Sequence, residues 1–210
     1  MTRFASVFAA AVLGAALLTA PAAQAAEVAY TLEPNHTQVD FRWVHMGMST
    51  PAASFDKVDG TLLWDAQDVS KSSVKVSLPL TGVHTRVPAL DEHFKSADFF
   101  DMAKYPSVTF ASTRVEPQGL GNIYRIYGNL TVRGVTKEVV LDTRLNGAGT
   151  HPMFKAPMLG FDARTTIKRS DFGMGALVPM VSDQIEIRIT TEAVEAQGLK
   201  RALAEMAKAK

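Results

Sequence analysis

The chain has 210 residues, with 22 basic and 21 acidic side chains and a formal net charge of +1. This balance argues against a nucleic-acid-binding protein, which normally shows a basic stripe. The absence of cysteine excludes disulfides, a catalytic thiolate and thiol-ligated zinc. The length fits a single domain that can bury a substantial core.

The N-terminus has the features of a secretory signal peptide. A short positive region, residues 1–3, precedes an apolar run over residues 4–18, and Ala23-Gln24-Ala25 then has the A-x-A form of a cleavage site. The apolar run is shorter than the roughly 20 residues of a membrane-spanning helix, and a retained N-terminal anchor is the alternative. We therefore expect residues 1–25 to be removed on export.

Strands dominate the rest of the chain, because apolar and polar residues alternate at a period of two. The alternating segments are 39–45, 58–64, 74–80, 108–110, 124–132, 139–145, 159–167 and 185–189. Turn residues separate several of them, as at Arg133-Gly134 and Asn146–Gly149, and Gly128 inside a strand indicates a bulge or a tight bend. About eight antiparallel strands predict an all-β domain, either a barrel or a sandwich. An eight-stranded barrel is wide enough to hold one small ligand.

The segment 91–110 is the most distinctive part of the chain. It places Phe94, Phe99 and Phe100 in a helix-like stretch whose remaining positions are largely charged. This pattern predicts a short amphipathic helical insertion around residues 89–103, laid over the strands. Its aromatic side either caps a core or lines the entrance to an apolar cavity.

The inward-facing strand positions carry aromatic side chains, and the connections carry methionine. The residues that we expect on the apolar side are Phe41, Trp43, Trp64, Phe110, Phe161 and Met174. Loop methionines supply adaptable apolar surface that suits a flexible hydrocarbon. Ordinary core packing is the alternative for each of these residues taken alone.

The tail over residues 197–210 differs from the strands. Leu199, Leu203 and Met206 occur at helical spacing among basic side chains. This pattern predicts a solvated terminal helix. A weak attachment to an anionic membrane surface is the alternative.

No catalytic constellation is visible. His84 and His93 flank Asp91, but their spacing matches no standard zinc site. His45 ends a strand on the apolar side, where it is either a core histidine or a polar group at the rim of a cavity. Arg169 lies in a polar turn after a strand and is expected to brace the chain. We therefore predict neither a metal site nor an enzyme.

Several blocks resemble the YceI-like family, in the same order along the chain. These blocks are the segment 91–110, Gly128–Leu141, Ile167–Gly173 and Val181–Ile187, and the match runs from about Tyr30 to Ala196. Asn35 and Asn129 carry amides where the family usually has carboxylates, which leaves the turn and bulge geometry feasible.

The resemblance implies an eight-stranded antiparallel lipocalin-like β-barrel over residues 26–196, exported to the periplasm. It implies a non-catalytic protein that requires no cofactor and binds a long-chain polyisoprenoid or an isoprenoid quinone inside the barrel. Phe94, Phe99 and Phe100 would then seal one end of the cavity. A polar head group would need donor or cationic groups at the rim, and the candidates are His45, Arg86 and Arg169.

Two other functions fit the sequence. One is a stress-protective structural protein whose barrel is filled by its own side chains. The other is a hydrolase or isomerase acting on a lipid, with His45 or His93 as a base. Exposed aromatic loop surface also leaves a homodimer open.

Overall fold

The computed structural model describes residues 27–119 and 121–208. Within them, eleven antiparallel strands form one sheet, accompanied by two α-helices. The strands are β1 (Val28–Leu32), β2 (Gln38–Arg42), β3 (Ala52–Phe55), β4 (Asp59–Trp64), β5 (Ser73–Pro79), β6 (Val83–His84), β7 (Ser107–Pro117), β8 (Ile123–Val132), β9 (Val135–Thr150), β10 (Pro157–Lys168) and β11 (Gln184–Glu195), and the helices are α1 (Pro88–Lys95) and α2 (Ala196–Lys208). The predicted signal peptide, residues 1–25, lies outside the described residues.

Eight of the strands close into a barrel. Their order is β1, β4, β5, β7, β8, β9, β10 and β11, and β1 pairs with β11 to complete the ring. The strands β2, β3 and β6 continue the sheet from β11 at one end. The predicted eight-stranded antiparallel barrel is confirmed. The strands β1, β3 and β6 were not predicted, because isolated runs of two to five residues give little alternating signal.

A short turn joins β1 to β2 and is held by a buried carboxylate. Glu33 is 4% exposed, and its carboxylate accepts hydrogen bonds from Asn35 (2.7 Å) and from Nδ1 of His36 (2.6 Å). Burial alone would raise the pKa of Glu33, but the hydrogen bonds from Asn35 and His36 outweigh it and hold this pKa below its usual value.

The bulge expected near Gly128 lies on the neighbouring strand. The register of β7 shifts between Ser112 and Arg114, opposite Gly128 and the residue before it in β8. A Cβ at position 128 would lie 2.6 Å from Cε2 of Phe110 and 2.7 Å from the carbonyl oxygen of Ala111. Glycine is therefore required there, because the Phe110 ring takes the place of a side chain.

The turn predicted at Asn146–Gly149 is wrong. These residues lie inside β9, which pairs with β10 as far as Thr150, with a register shift at Gly160. The hairpin turns instead at residues 151–156, where Nδ1 of His151 accepts hydrogen bonds from the backbone N–H groups of Met153 (3.3 Å) and Phe154 (3.1 Å). Long strand pairing outweighs the weak strand preference of glycine.

The strand directions give the barrel two distinct ends. The lid end carries α1 and the connections 43–51, 85–106 and 169–183. The tail end carries the connections 65–72 and 151–156 together with α2. The predicted helical insertion is confirmed as α1 and the turns that follow it.

The tail forms a helix that is docked on the barrel. The carboxylate of Glu195 accepts hydrogen bonds from the backbone N–H groups of Gln197 (3.0 Å) and Gly198 (2.6 Å) at the start of α2. Gly198 is buried against Ala156, and a Cβ there would lie 2.6 Å from that of Ala156. Of the helices in the described residues, none has the length and apolar character needed to cross a membrane. Membrane contact through this tail stays a prediction.

Candidate ligand-binding cavity

The barrel interior holds a cavity of about 540 Å³. This volume lies within the range of roughly 300–1,000 Å³ for small-molecule sites. Aliphatic and aromatic side chains from all eight barrel strands and from α1 supply most of its wall. The polar side chains in the wall are few, and most of them are hydroxyls of serine or threonine.

The residues predicted for the apolar side all line this cavity. They are Phe41, Trp43, Trp64, Phe94, Phe99, Phe100, Phe110, Phe161 and Met174. Of the three residues predicted to meet a head group, His45 and Arg169 line the cavity and Arg86 does not. Contact of any of these side chains with a lipid stays a prediction.

Arg86 is exposed and lies just before α1, with a φ of +67°. The neighbouring Thr85 is fixed by Asp91, whose carboxylate accepts hydrogen bonds from the Thr85 backbone N–H (2.6 Å) and hydroxyl (2.7 Å). The Thr85 hydroxyl and backbone N–H bonds hold the pKa of Asp91 below its usual value. This turn is a local anchor for α1, and Arg86 lies on its outside.

An aromatic cluster centred on Phe94 covers part of the lid end. This residue is 5% exposed, and its ring centroid lies 5.8 Å from that of Trp43, 5.6 Å from Phe99 and 5.6 Å from Phe100. It also stacks on Phe41 at 6.1 Å. The three phenylalanines of the insertion therefore pack on one another and line the cavity at the same time.

Arg133 attaches this insertion to the barrel. It occupies the tight turn between β8 and β9 with a φ of +51°. One guanidinium nitrogen donates to the carbonyl of Ala97 (2.8 Å) in the insertion, and the other donates to the carbonyl of Gly173. One side chain thus connects the insertion and the connection after β10.

A second aromatic group narrows the tail end. Trp64 meets Tyr124 edge-on at 5.9 Å and Phe161 edge-on at 5.7 Å between ring centroids. Tyr124 and Phe161 are 7% and 8% exposed. The two tryptophans of the chain therefore mark opposite ends of the cavity, with Trp43 at the lid end and Trp64 at the tail end.

Arg169 is a buried cation in the cavity wall, 4% exposed. Its guanidinium donates to three backbone carbonyls, those of Met174, Val181 (2.9 Å) and Ser182 (2.9 Å). Burial lowers the pKa of Arg169, and the nearby Asp183 carboxylate opposes this effect. The predicted bracing role is evident, because these bonds shape a connection that itself lines the cavity. A guanidinium has five N–H donors, and within the described residues only three of those of Arg169 have protein acceptors.

The cavity opens at the lid end. Among the described lining residues, three are exposed, and they are His45, His93 and Leu177. All three belong to the lid end, whereas the lining residues at the tail end are buried or half-buried. We call the opening between them the mouth.

Some lining residues were missed by sequence reasoning. Leu177 and Val181 lie in the connection between β10 and β11, where no strand periodicity marks them. In contrast, Ile185, Ile187 and Ile189 line the cavity from β11, and their alternation could have identified them. Within residues 27–119 and 121–208, no three His, Asp or Glu side chains are grouped so that they could hold a metal ion.

Comparisons with known proteins agree with this architecture. The YceI-like domain family matches residues 30–193. A UPF0312 protein of Pectobacterium atrosepticum is 38% identical over 180 residues, which cover 85% of this chain and 91% of the relative.

Two solved structures share the fold. Burkholderia cenocepacia BcnA has a TM-score of 0.70 at 22% identity, covering 77% of this chain and 98% of its own. A polyisoprenoid binding domain from Saccharophagus degradans has a TM-score of 0.57 at 15% identity, covering 80% of this chain and 99% of its own. From the extent of the family match and the identity to the Pectobacterium relative, the chain belongs to the YceI-like family.

Proposed function

We propose that this protein is a non-catalytic periplasmic carrier that holds a long-chain polyisoprenoid or an isoprenoid quinone inside its barrel. The observation that carries the proposal is the apolar cavity of about 540 Å³ with its mouth at the lid end. The Saccharophagus structure, which shares the fold, is named as a polyisoprenoid binding domain. Family membership and this neighbour support a binding role, and the apolar wall favours a hydrocarbon ligand.

The cavity volume sets the length of chain that it can enclose. If each carbon of a liquid-like hydrocarbon takes nearly the ~30 Å³ of a water molecule, 540 Å³ holds about four five-carbon isoprene units. Each buried CH₂ contributes about 0.8 kcal/mol, offset in part by the ordering of the chain. A longer chain would leave its remainder in or beyond the mouth.

The polar groups of the wall favour a ligand with its head group at the lid end. Arg169 has a buried positive charge and donors that its protein acceptors do not use up, and His45 stands at the mouth. A quinone oxygen or a phosphate could accept from either group. Arg86 would reach a head group only from outside the cavity.

The two alternatives are less consistent with the geometry. A barrel filled by its own side chains would not leave a space of this size, because protein cores pack with few voids. A lipid-modifying enzyme needs a base that another group orients. In the described part of the chain, neither His45 nor His93 makes a side-chain hydrogen bond with a carboxylate.

The two tryptophans provide the test. Trp43 and Trp64 are the chain's only tryptophans, and both line the cavity. A short-chain ubiquinone added to lipid-free protein should quench their fluorescence saturably, and an unlabelled polyprenol should reverse the quenching. Because the quinone ring is expected at the lid end, Trp64→Phe, which keeps Trp43, should be quenched more strongly than Trp43→Phe. The absence of saturable quenching together with no polyprenol uptake would refute the proposal.

Export belongs to the same proposal. N-terminal sequencing of the protein from its native host should find a mature chain that begins immediately after Ala25, in the periplasmic fraction. A retained residue 1 or a cytoplasmic protein would contradict this part alone, since ligand binding does not depend on it.

A further inference from the structure

Exposed apolar side chains flank one side of the mouth of the cavity. Two connections supply them, and we call this surface the methionine rim, made of Val44, Met46, Met48, Leu177, Val178 and Met180. Met48 is 88% exposed, Met46 60% and Met180 56%. An exposed apolar surface of this kind on a folded domain marks an interaction site.

The methionine rim is uncharged over a long stretch of sequence. The segments 43–55 and 172–182 contain no Asp, Glu, Lys or Arg, although such residues form 20% of the chain. A protein or nucleic-acid partner recognised through ion pairs would find no complementary charge there. An uncharged apolar surface of this kind is instead suited to contact with an apolar environment such as lipid acyl chains.

The rim is held in place by backbone hydrogen bonds that join its two connections. The N–H of Met46 donates to the carbonyl of Met180 (2.7 Å), and the N–H of Ser182 donates to the carbonyl of Val44 (2.9 Å). The apolar side chains are therefore presented by an ordered structure that connects the two segments.

Two rim residues also have strained backbone conformations. Met46 has a φ of +53° and Leu177 a φ of +63°, a region that glycine or asparagine occupies at lower cost. Both positions are exposed to water, where a polar residue would also be better solvated. Neither local backbone preference nor solvation explains methionine and leucine at these positions, whereas contact with an apolar partner does.

The rim and the cavity form one continuous apolar surface. Leu177 is 49% exposed and also lines the cavity, and His45, which lines the mouth, lies between Val44 and Met46 in the chain. A hydrocarbon chain that leaves the cavity passes directly over the rim.

We propose that the methionine rim docks on the surface of a lipid bilayer, with the mouth facing the acyl chains, so that the ligand passes between membrane and cavity without crossing water. This proposal rests on the proposed function. The methionine side chains would enter the boundary between head groups and acyl chains, where amphipathic surfaces insert by about 5–10 Å. Methionine suits this contact because its flexible thioether adapts to disordered chains.

The docking predicted here differs from attachment through the basic tail. The helix α2 lies at the tail end, opposite the mouth, and exposes Leu203 and Met206 beside basic residues. Tail attachment would need anionic lipids and would weaken with salt. Docking through the uncharged rim would need neither anionic lipid nor low salt.

The test compares two sets of substitutions at opposite ends of the barrel. The rim variant carries Met46→Ser, Met48→Ser and Met180→Ser, and the control carries Leu203→Ser and Met206→Ser in α2. Flotation with vesicles of phosphatidylcholine measures docking of the empty protein, and transfer of a short-chain ubiquinone from the same vesicles is followed by tryptophan quenching. Uptake of the same ubiquinone from vesicle-free buffer is measured in parallel.

In the rim variant, the affinity for vesicles measured by flotation and the transfer rate should each fall by about tenfold or more. The reason is that three apolar side chains that would insert into the bilayer have been replaced by serine. The rim variant's uptake from buffer should stay at the wild-type level, and the control variant should behave like wild type. Transfer by the rim variant at the wild-type rate, loss in the control variant, or a requirement for phosphatidylglycerol would overturn the proposal. A wild-type dimer that the rim substitutions convert to a monomer would overturn it too, because the rim would then join two copies. If wild type takes up neither ubiquinone nor a polyprenol from buffer, the proposed function fails, while flotation still tests the rim.

Discussion

Filling the cavity from within should weaken ligand binding without unfolding the barrel. Thr165 in β10 lines the cavity and is half-buried, whereas the next residue, Thr166, is exposed on the outside of the same strand. The substitution Thr165→Trp therefore places an indole in the cavity, and Thr166→Trp places the same group in solvent. The pair separates the effect of volume from the effect of residue type.

The expected magnitude follows from the cavity volume. Tryptophan has about seven more non-hydrogen atoms than threonine, and bonded ring atoms take less than the ~30 Å³ of a free water, so the change fills roughly 100–150 Å³. This is about a quarter of the 540 Å³ cavity, close to the volume of one isoprene unit. The burial of five carbons is worth about 4 kcal/mol before the cost of ordering the chain, so we expect a net loss of about 1.5–3 kcal/mol, or ten- to hundredfold in Kd.

Isothermal titration calorimetry with a short-chain ubiquinone measures this effect. Wild type and Thr166→Trp should bind equally, with the negative heat-capacity change of apolar burial, and Thr165→Trp should bind ten- to hundredfold more weakly. Circular dichroism and the thermal unfolding midpoint should show that both variants are folded. Equal affinity of a folded Thr165→Trp and wild type, or an equal loss in both variants, would refute a ligand held at this depth in the barrel.

Three further predictions concern the frame of the cavity. The hydrogen bonds of Glu33 hold its folded-state pKa below the usual 4.5, so its stabilising contribution is fully present above that pH and disappears as the pH falls through the folded-state pKa. The substitution Glu33→Gln should therefore lower the free energy of unfolding, measured in urea, by about 1–2 kcal/mol at neutral pH and by less in acid. A loss that stays constant with pH would contradict this role of the carboxylate. Gly128→Ala should destabilise the barrel by about 1–3 kcal/mol in the same assay, because the new Cβ meets Phe110 and the Ala111 carbonyl. The control is Gly147→Ala in β9, where a Cβ meets nothing within 4 Å. Equal destabilisation by the two substitutions would argue against the close contact at Gly128. Phe99→Ala removes a half-buried ring that lines the cavity and packs on Phe94 at 5.6 Å between ring centroids. The substitution should therefore increase the rate of ligand release measured by stopped-flow exchange. A change in stability with an unaltered release rate would show that this ring does not control the exit of the ligand.

The sequence allowed much of the barrel to be predicted, because alternation reports the two faces of a strand. This pattern assigns the inward positions of β2 and β8 correctly, since Phe41 in β2 and Leu130 in β8 line the cavity. The same alternation continues past the end of β2 to Trp43, which also lines the cavity. The strand order is not encoded in the alternation. The residues alone therefore left a barrel and a sandwich open, and the choice came from the family resemblance.

The parts that were not predicted depend on contacts distant in sequence. The continuation of β9 through Gly147 requires the pairing with Gly160 in β10, which overrides local turn preference. The bonds of Arg169 to carbonyls of the following connection cannot be read from the residue types. The ordered exposure of Met46 and Met180 likewise depends on a hydrogen bond between two connections that are far apart in the chain.

The central claim is that the barrel holds an isoprenoid lipid, and mass spectrometry of the protein purified from its native host tests it most directly. The intact complex should carry one lipid per chain, and solvent extraction should release a polyisoprenoid or an isoprenoid quinone. The Thr165→Trp variant, purified in the same way, should retain less of it. A wild-type protein that carries no lipid and takes up neither added polyprenols nor added quinones would contradict the account.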